Sequence, residues 1–270
     1  MHYTGAQASA ITWSFTGLMI VVWLLRLYTR LWLARNKGWE DACISFAAVR
    51  CKNPQVNNGM GDHIDTLSTA TMTRSLKAFW GSLMVYYLSL TFTKISILLQ
   101  YLRIFPIKTF RIAAYVVLAV VCLYGAWTVF GSIFECWPIA YFWDPAIKGG
   151  HCMNQFAVWF TNAGMNILTD FTIVILPISS IRHLKLPDRQ KKLLVLVFGL
   201  AGFVCIVSIL RLQSLIQISN STDQTYDNGP AATWSAVEAN VGITCACLPP
   251  LRPLITRIAP RMFPGTRATN

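Results

Sequence analysis

An all-α polytopic membrane bundle is the fold class this sequence predicts, and three observations predict it. Hydrophobic residues fill 54% of the 270 positions and charged residues only 13%, about half the charged share of a soluble domain. Long apolar runs follow one another with short connections. The basic residues collect in the connections instead of spreading over the chain. The formal net charge of +12 would suggest a polyanion partner on a soluble protein. Here its placement between apolar runs reads as orientation in a membrane, and no nucleic-acid role is expected.

A spanning helix needs about 20 predominantly apolar residues. Ala6 to Leu25 is the first such run, and Arg26 and Arg30 beyond it are placed to snorkel toward headgroups. No basic n-region precedes it, so it reads as a span and not as a secretory signal. Ala42 to Val49 is apolar but ends at Arg50, Lys52, Asn53 and Pro54. As a helix it would rise about 12 Å against a hydrocarbon core of about 30 Å. Ala78 to Leu102 is the next full run, interrupted by Lys94; Ile112 to Phe134 carries no charge. Phe156 to Ile181 holds Asp170, Leu193 to Ile218 holds Arg211, and Ala231 to Ile255 holds Glu238. The expectation is six full spans plus a truncated second one, forming one domain over residues 1–260 with a short basic cytoplasmic tail at 261–270.

Charge asymmetry sets the sidedness. Arg26, Arg30, Arg35 and Lys37 follow the first run; Arg103, Lys108 and Arg111 follow the third. Arg182, Lys185, Arg189, Lys191 and Lys192 follow the fifth, and Arg252, Arg257, Arg261 and Arg267 follow the last. The opposite loops hold only Lys148. All four sets share the cytosolic side, with the N-terminus outside, only if the chain crosses between Lys37 and Arg74. Seven crossings therefore fit the charges.

Cys136 and Cys152 bracket one loop assigned to the outside, where disulfides persist, and they are expected to pair. Asn220-Ser221-Thr222 is an N-glycosylation acceptor on the same side, close to the membrane. Cys245 and Cys247 are two apart, so on a helix they diverge and read as packing residues, not metal ligands.

Several segments taken together resemble the fungal rhodopsin-domain family of seven-helix integral membrane proteins. Gly38-Trp39-Glu40-Asp41 resembles the acidic motif that opens its second span, and Gly59-Met60-Gly61-Asp62-His63 its glycine-rich loop. Leu90-Thr91-Phe92-Thr93-Lys94-Ile95-Ser96, continuing to Tyr101-Leu102-Arg103-Ile104-Phe105, resembles its third span. Cys136-Trp137-Pro138, Phe142-Trp143-Asp144 and Cys152-Met153-Asn154 resemble the following loop. Asn166-Ile167-Leu168-Thr169-Asp170, Leu176-Pro177-Ile178, Trp234-Ser235-Ala236-Val237-Glu238 and Cys247-Leu248-Pro249 complete the match. The sequence departs from the family at the second span, where Arg50 to Asn58 stands in place of apolar helix. The resemblance implies a membrane protein, with some relatives receptor-like and others found beside secondary-metabolite clusters.

The word rhodopsin invites retinal. A retinal Schiff base needs a buried lysine amine, which retinal proteins carry in the seventh helix. Ala231 to Ile255 has no lysine, so neither retinal nor any other cofactor is expected. Enzyme motifs are absent: no phosphate loop, no His-Glu-x-x-His, no nucleophile elbow. His63 between Asp62 and Asp65 reads as a solvated loop, since a second ligand cluster is missing. Trp137, Tyr141, Phe142, Trp143, Trp159 and Trp234 gather near the outer helix ends, where an interfacial belt is the default reading and a lid over a pocket the minority one.

The informative residues are four intramembrane charges. A charge near the bilayer centre is costly and points to function by default. Counting depth along the helices, Lys94 and Asp170 differ by about 6 Å and Arg211 and Glu238 hardly at all, so two ion pairs are expected. Such pairs more often only lock helices; the alternative is a polar small-molecule pocket or switch in the outer half. The function expected is a receptor-like sensor at the plasma membrane without enzymatic activity, with a cytoplasmic G protein as candidate partner. A transporter or an accessory protein of a metabolite pathway is the second reading.

Overall fold

The structure is a computed structural model that describes residues 5–33, 38–50, 69–144, 146–181, 188–219, 224–251 and 254. Among these, seven α-helices follow in order. They are α1 (Gly5–Tyr28), α2 (Trp39–Arg50), α3 (Thr69–Ile104), α4 (Lys108–Ile133), α5 (Gln155–Ile181), α6 (Asp188–Ser219) and α7 (Gln224–Cys247). Four of them carry runs long and apolar enough to cross a membrane: Ala10–Leu33, Met72–Ile104, Lys108–Ile133 and Gln155–Ile178; α6 adds the shorter apolar stretch Gly202–Gln217. The chain is a multi-span helical membrane bundle.

Local chemistry explains the helix ends. One π-helical turn, Thr29–Leu33, extends α1 past its apolar run. The 36 residues of α3 span roughly 54 Å at 1.5 Å each, well beyond an apolar run that begins at Ala78. It stops at Ile104 because Pro106 disfavours helical geometry at Phe105. Pro249 and Pro250 form the next short turn after α7, which ends at Cys247 instead of continuing to Ile255. Pro177 lies inside α5, where its missing N–H removes one backbone bond.

The long α3 is the axis, in contact with α2, α4, α5 and α7, while α1 packs on α7 and closes the ring. Lipid supplies no hydrophobic drive between helices, so close van der Waals contact and polar bonds hold such bundles. One such contact is Gly125, where a Cβ would stand 2.4 Å from Thr91 Cγ2. Met19, Ile44, Ala47, Ile243 and Ala246 bury together between α1, α2 and α7, and Cys247 lies with them, as its packing role requires. Ile112, Leu123 and Trp127 on α4 are exposed, which gives that helix an apolar outer face.

The second helix is twelve residues long, about 18 Å. It runs antiparallel along the C-terminal half of α3. Ser96 Oγ donates to the Glu40 carbonyl at 2.8 Å and Ser89 Oγ to the Ala47 carbonyl at 3.2 Å.

Between α4 and α5 a two-residue ribbon pairs Cys136 with Cys152 and Trp137 with His151, and the two cysteines form a disulfide with Cα atoms 4.0 Å apart. The loop aromatics fold back on α3: Phe142 stacks on Phe79 at 6.3 Å and Trp143 meets Trp80 edge-on at 5.8 Å. They therefore cover the end of the bundle that the charge pattern assigns to the outside, the outer end below, while Trp137 is exposed.

Beneath this cap Glu135 is 1% exposed, and neither carboxyl oxygen has a hydrogen-bond partner. Burial pushes its carboxyl up to about 7, the Trp159 indole acting in the opposite direction. A carboxyl raised on folding is more protonated in the folded state, so stability falls as pH rises from the ordinary carboxyl range through about 7. Purified protein is expected to melt at least ~2 °C lower at pH 8 than at pH 5 through this group. Glu135→Gln should flatten that part of the profile in a melting series; an unchanged slope would remove Glu135 as its source.

Candidate functional site

The four intramembrane charges converge. Lys94, 5% exposed on α3, directs Nζ at α5. It donates to the Asn166 carbonyl at 2.9 Å, to Asn166 Oδ1 at 2.8 Å and to Thr169 Oγ1 at 2.6 Å, and it lies 3.0 Å from Asp170 Oδ1. Arg211 Nε on α6 lies 3.0 Å from Glu238 Oε2 on α7, and Glu238 is fully buried. Both pairings have the partners that depth along the helices suggests.

Asn166 and Ser208 make the two pairs one network. Asn166 Nδ2 donates to Glu238 Oε1 at 2.8 Å and to Asp170 Oδ2 at 3.3 Å, one proton to each carboxylate. The Ser208 hydroxyl lies between the same carboxylates, 3.3 Å from Asp170 Oδ2 and in a short bond to Glu238 Oε1; its single proton serves the nearer one. Tyr86 OH donates to Glu238 Oε2. Its ring also lies 5.1 Å from the Arg211 guanidinium carbon, a cation–π contact strengthened by the dry surroundings. Two cations and two carboxylates thus balance inside α3, α5, α6 and α7. The site can hold charge in a low dielectric, and it offers neither a nucleophile–base pair nor, among the described residues, a group of three metal-type ligands.

Directly beside this network, toward the outer end, is a cleft of about 80 Å³ between α3, α5, α6 and α7. Phe79, Leu83, Val85, Leu215 and Ala236 wall it, and Tyr86, Trp159, Arg211 and Asn240 bring polar groups to it. Arg211 Nε and Nη2 and Asn240 Oδ1 are buried with no hydrogen-bond partner, although Asn240 Nδ2 donates to Thr16 Oγ1 at 3.1 Å.

A second network closes the opposite end, called inner from the same charge pattern. Arg26, expected to reach for headgroups, is instead fully buried. Its Nε and Nη2 donate to Asp41 Oδ1 at 3.0 and 2.8 Å, and Nη1 donates to the Ala246 carbonyl at 2.8 Å. Arg30 Nη2 stands 3.3 Å from Glu40 Oε1, and Arg103 pairs with the same oxygen. The cause of the misreading is plain: α2 brings Glu40 and Asp41 to the end of α1, so a solvated helix end becomes an interior one. Asn166, four residues before Asp170 on one helix face, was detectable from spacing; Ser208 and Tyr86 had no signal of their own. Asn220 and His63 lie outside the described residues.

A match to the family described as "Fungal rhodopsin domain" covers residues 25–257. The chain belongs to this family. A SAT4 family membrane protein of Emericella nidulans is 30% identical over 79% of the chain and 53% of its own length. "Receptor GIN3" of Arthrobotrys oligospora is 25% identical over 71% of the chain and 46% of its own length. "Wortmanamides biosynthesis cluster protein C" of Talaromyces wortmannii is 29% identical over 87% and 66%. The chain spans about half the length of the first two. No solved structure matches. Members of the family are multi-pass membrane proteins, and nothing in the match indicates an enzymatic activity.

Removing one partner of a buried pair leaves an uncompensated charge. Glu238→Ala is expected to cost about 3–5 kcal/mol, and Arg211→Met with Glu238→Met less than the sum of the two single changes. Melting of the detergent-solubilised variants measures this; strict additivity would show that the two residues are not coupled.

Proposed function

We propose that this chain is a receptor-like sensor of the plasma membrane, without retinal and without enzymatic chemistry, crossing the membrane seven times with its N-terminus outside. One observation carries the reading: a cleft in the outer half touches the charge network directly, and that network joins four helices. Two of these, α3 and α7, also meet the inner cage through Arg103, Gln100 and Ala246. A ligand that moves Arg211 or Tyr86 therefore acts on helices whose inner ends are held by a separable set of ion pairs. It would shift a conformational balance by its differential affinity for the two arrangements. The name "Receptor GIN3" carried by one relative supports the same reading.

The inner cage is the contact that a signalling partner, a cytoplasmic G protein in this reading, would read. Asp41→Asn keeps an oxygen acceptor but removes the negative charge that answers Arg26, and is expected to raise basal nucleotide exchange on a reconstituted heterotrimeric G protein above the unsubstituted level. No exchange with either protein, together with saturable solute flux into the same vesicles, would replace the sensor by a carrier. The cluster-protein name of the Talaromyces relative favours that second reading.

The seven-crossing arrangement has its own test. Reporter fusions after Lys37, Arg111, Arg189 and Arg267 should all read cytosolic. A reporter after Lys37 that alone reads outside would reduce the count to six.

A further inference from the structure

The polar groups left over in the outer cleft select a class of ligand. Arg211 is 4% exposed, with Nε 3.0 Å from Glu238 Oε2 and one guanidinium face on the Tyr86 ring. Neither Nε nor Nη2 makes a hydrogen bond, although a buried N–H of a charged group is costly to leave unmet. The cleft that Arg211 lines is otherwise walled by apolar side chains and by Ser82, Ser89 and Ser235, whose hydroxyls are spent on backbone carbonyls.

Charge balance decides what fills it. Lys94 and Arg211 are matched one for one by Asp170 and Glu238. An anionic ligand would add an unbalanced negative charge next to the fully buried Glu238, and an ammonium would meet the guanidinium. A plain hydrocarbon would leave the guanidinium without an acceptor. A neutral oxygen acceptor satisfies it and leaves the balance intact.

We propose that the cleft binds a small uncharged carbonyl compound, an amide, ester or ketone on an apolar body, whose carbonyl oxygen accepts from the Arg211 guanidinium. The apolar body lies along Leu83 and Ala236. This rests on the reading of the cleft as a ligand site, and it is independent of what the protein signals to.

The test uses the full chain in phosphatidylcholine nanodiscs, with empty nanodiscs subtracted, and hexanamide as probe. Hexanoate presents the same carbon chain with a charge, and heptane presents it with no acceptor. Ligand-observed saturation-transfer NMR reads binding. Hexanamide is expected to bind saturably and at least ~10-fold more tightly than hexanoate, a factor that one hydrogen bond to a charged donor readily supplies. Arg211→Lys keeps a cation beside Glu238 but removes the second nitrogen of the fork, and should weaken hexanamide by a similar factor. Ala236→Leu narrows the cleft without touching Arg211 and should abolish binding in a protein that stays monodisperse. Tighter binding of hexanoate, equal binding of heptane, or no saturable binding of hexanamide would each overturn the proposal. Binding without any G-protein response would leave it standing and remove the sensor reading instead.

Discussion

Glu238 is the constraint on which the bundle depends. A carboxylate with no exposure cannot stay in a hydrocarbon-like interior unless every lone pair is answered, and this one is answered from three other helices. Tyr86 comes from α3, Asn166 from α5, and Ser208 and Arg211 from α6. The four positions must arrive together, which fixes the rotation of each helix about its own axis more sharply than apolar packing could. Lys94 and Asp170 extend the same requirement toward the inner half. The low overall hydropathy of α7 follows from this, since Thr233, Glu238 and Asn240 all face inward and the helix is sheltered by its neighbours.

How legible this was in the sequence depended on what each residue interacts with. Apolar runs announced most of the helices because bilayer thickness is a constant that any one run must meet by itself. The ionic partners could be paired from depth because 1.5 Å per residue is equally fixed. Ser208 and Tyr86 could not be found that way; a serine or tyrosine inside a membrane helix acquires meaning only from what lies opposite. Arg26 misled for the reverse reason. A basic residue just past an apolar run usually meets headgroups, and only the docking of α2 encloses it. The end of α3 was legible from Pro106, whereas its start, well before the apolar run, was not, because a helix can project beyond the bilayer without any change in local propensity.

The two ends of the molecule are held by different means. The outer end has a covalent tie between α4 and α5 and a layer of aromatic rings on α3. The inner end relies on arginines shared among acids on α2. A disulfide is covalent, while an ion pair can separate and re-form without breaking a bond, even one enclosed enough to be little screened by salt. The bundle is thus firm at one face and adjustable at the other, with the buried charges between them on the helices that reach both.

The bond from Arg26 to the carbonyl of Ala246 joins residues 220 positions apart in sequence. It has a consequence for biosynthesis. Helices leave the ribosome in order, so α1 is made long before its final partner exists. Until α7 is made, the Arg26 guanidinium lacks its backbone acceptor, and Arg211 lacks the carboxylate that balances it. Helix α7 completes both networks at once, so the ring closes as a late, concerted event. A chain interrupted before α7 would leave Arg211 without its carboxylate and Arg26 with Asp41 alone, a state that quality-control machinery in the membrane can distinguish from the finished protein.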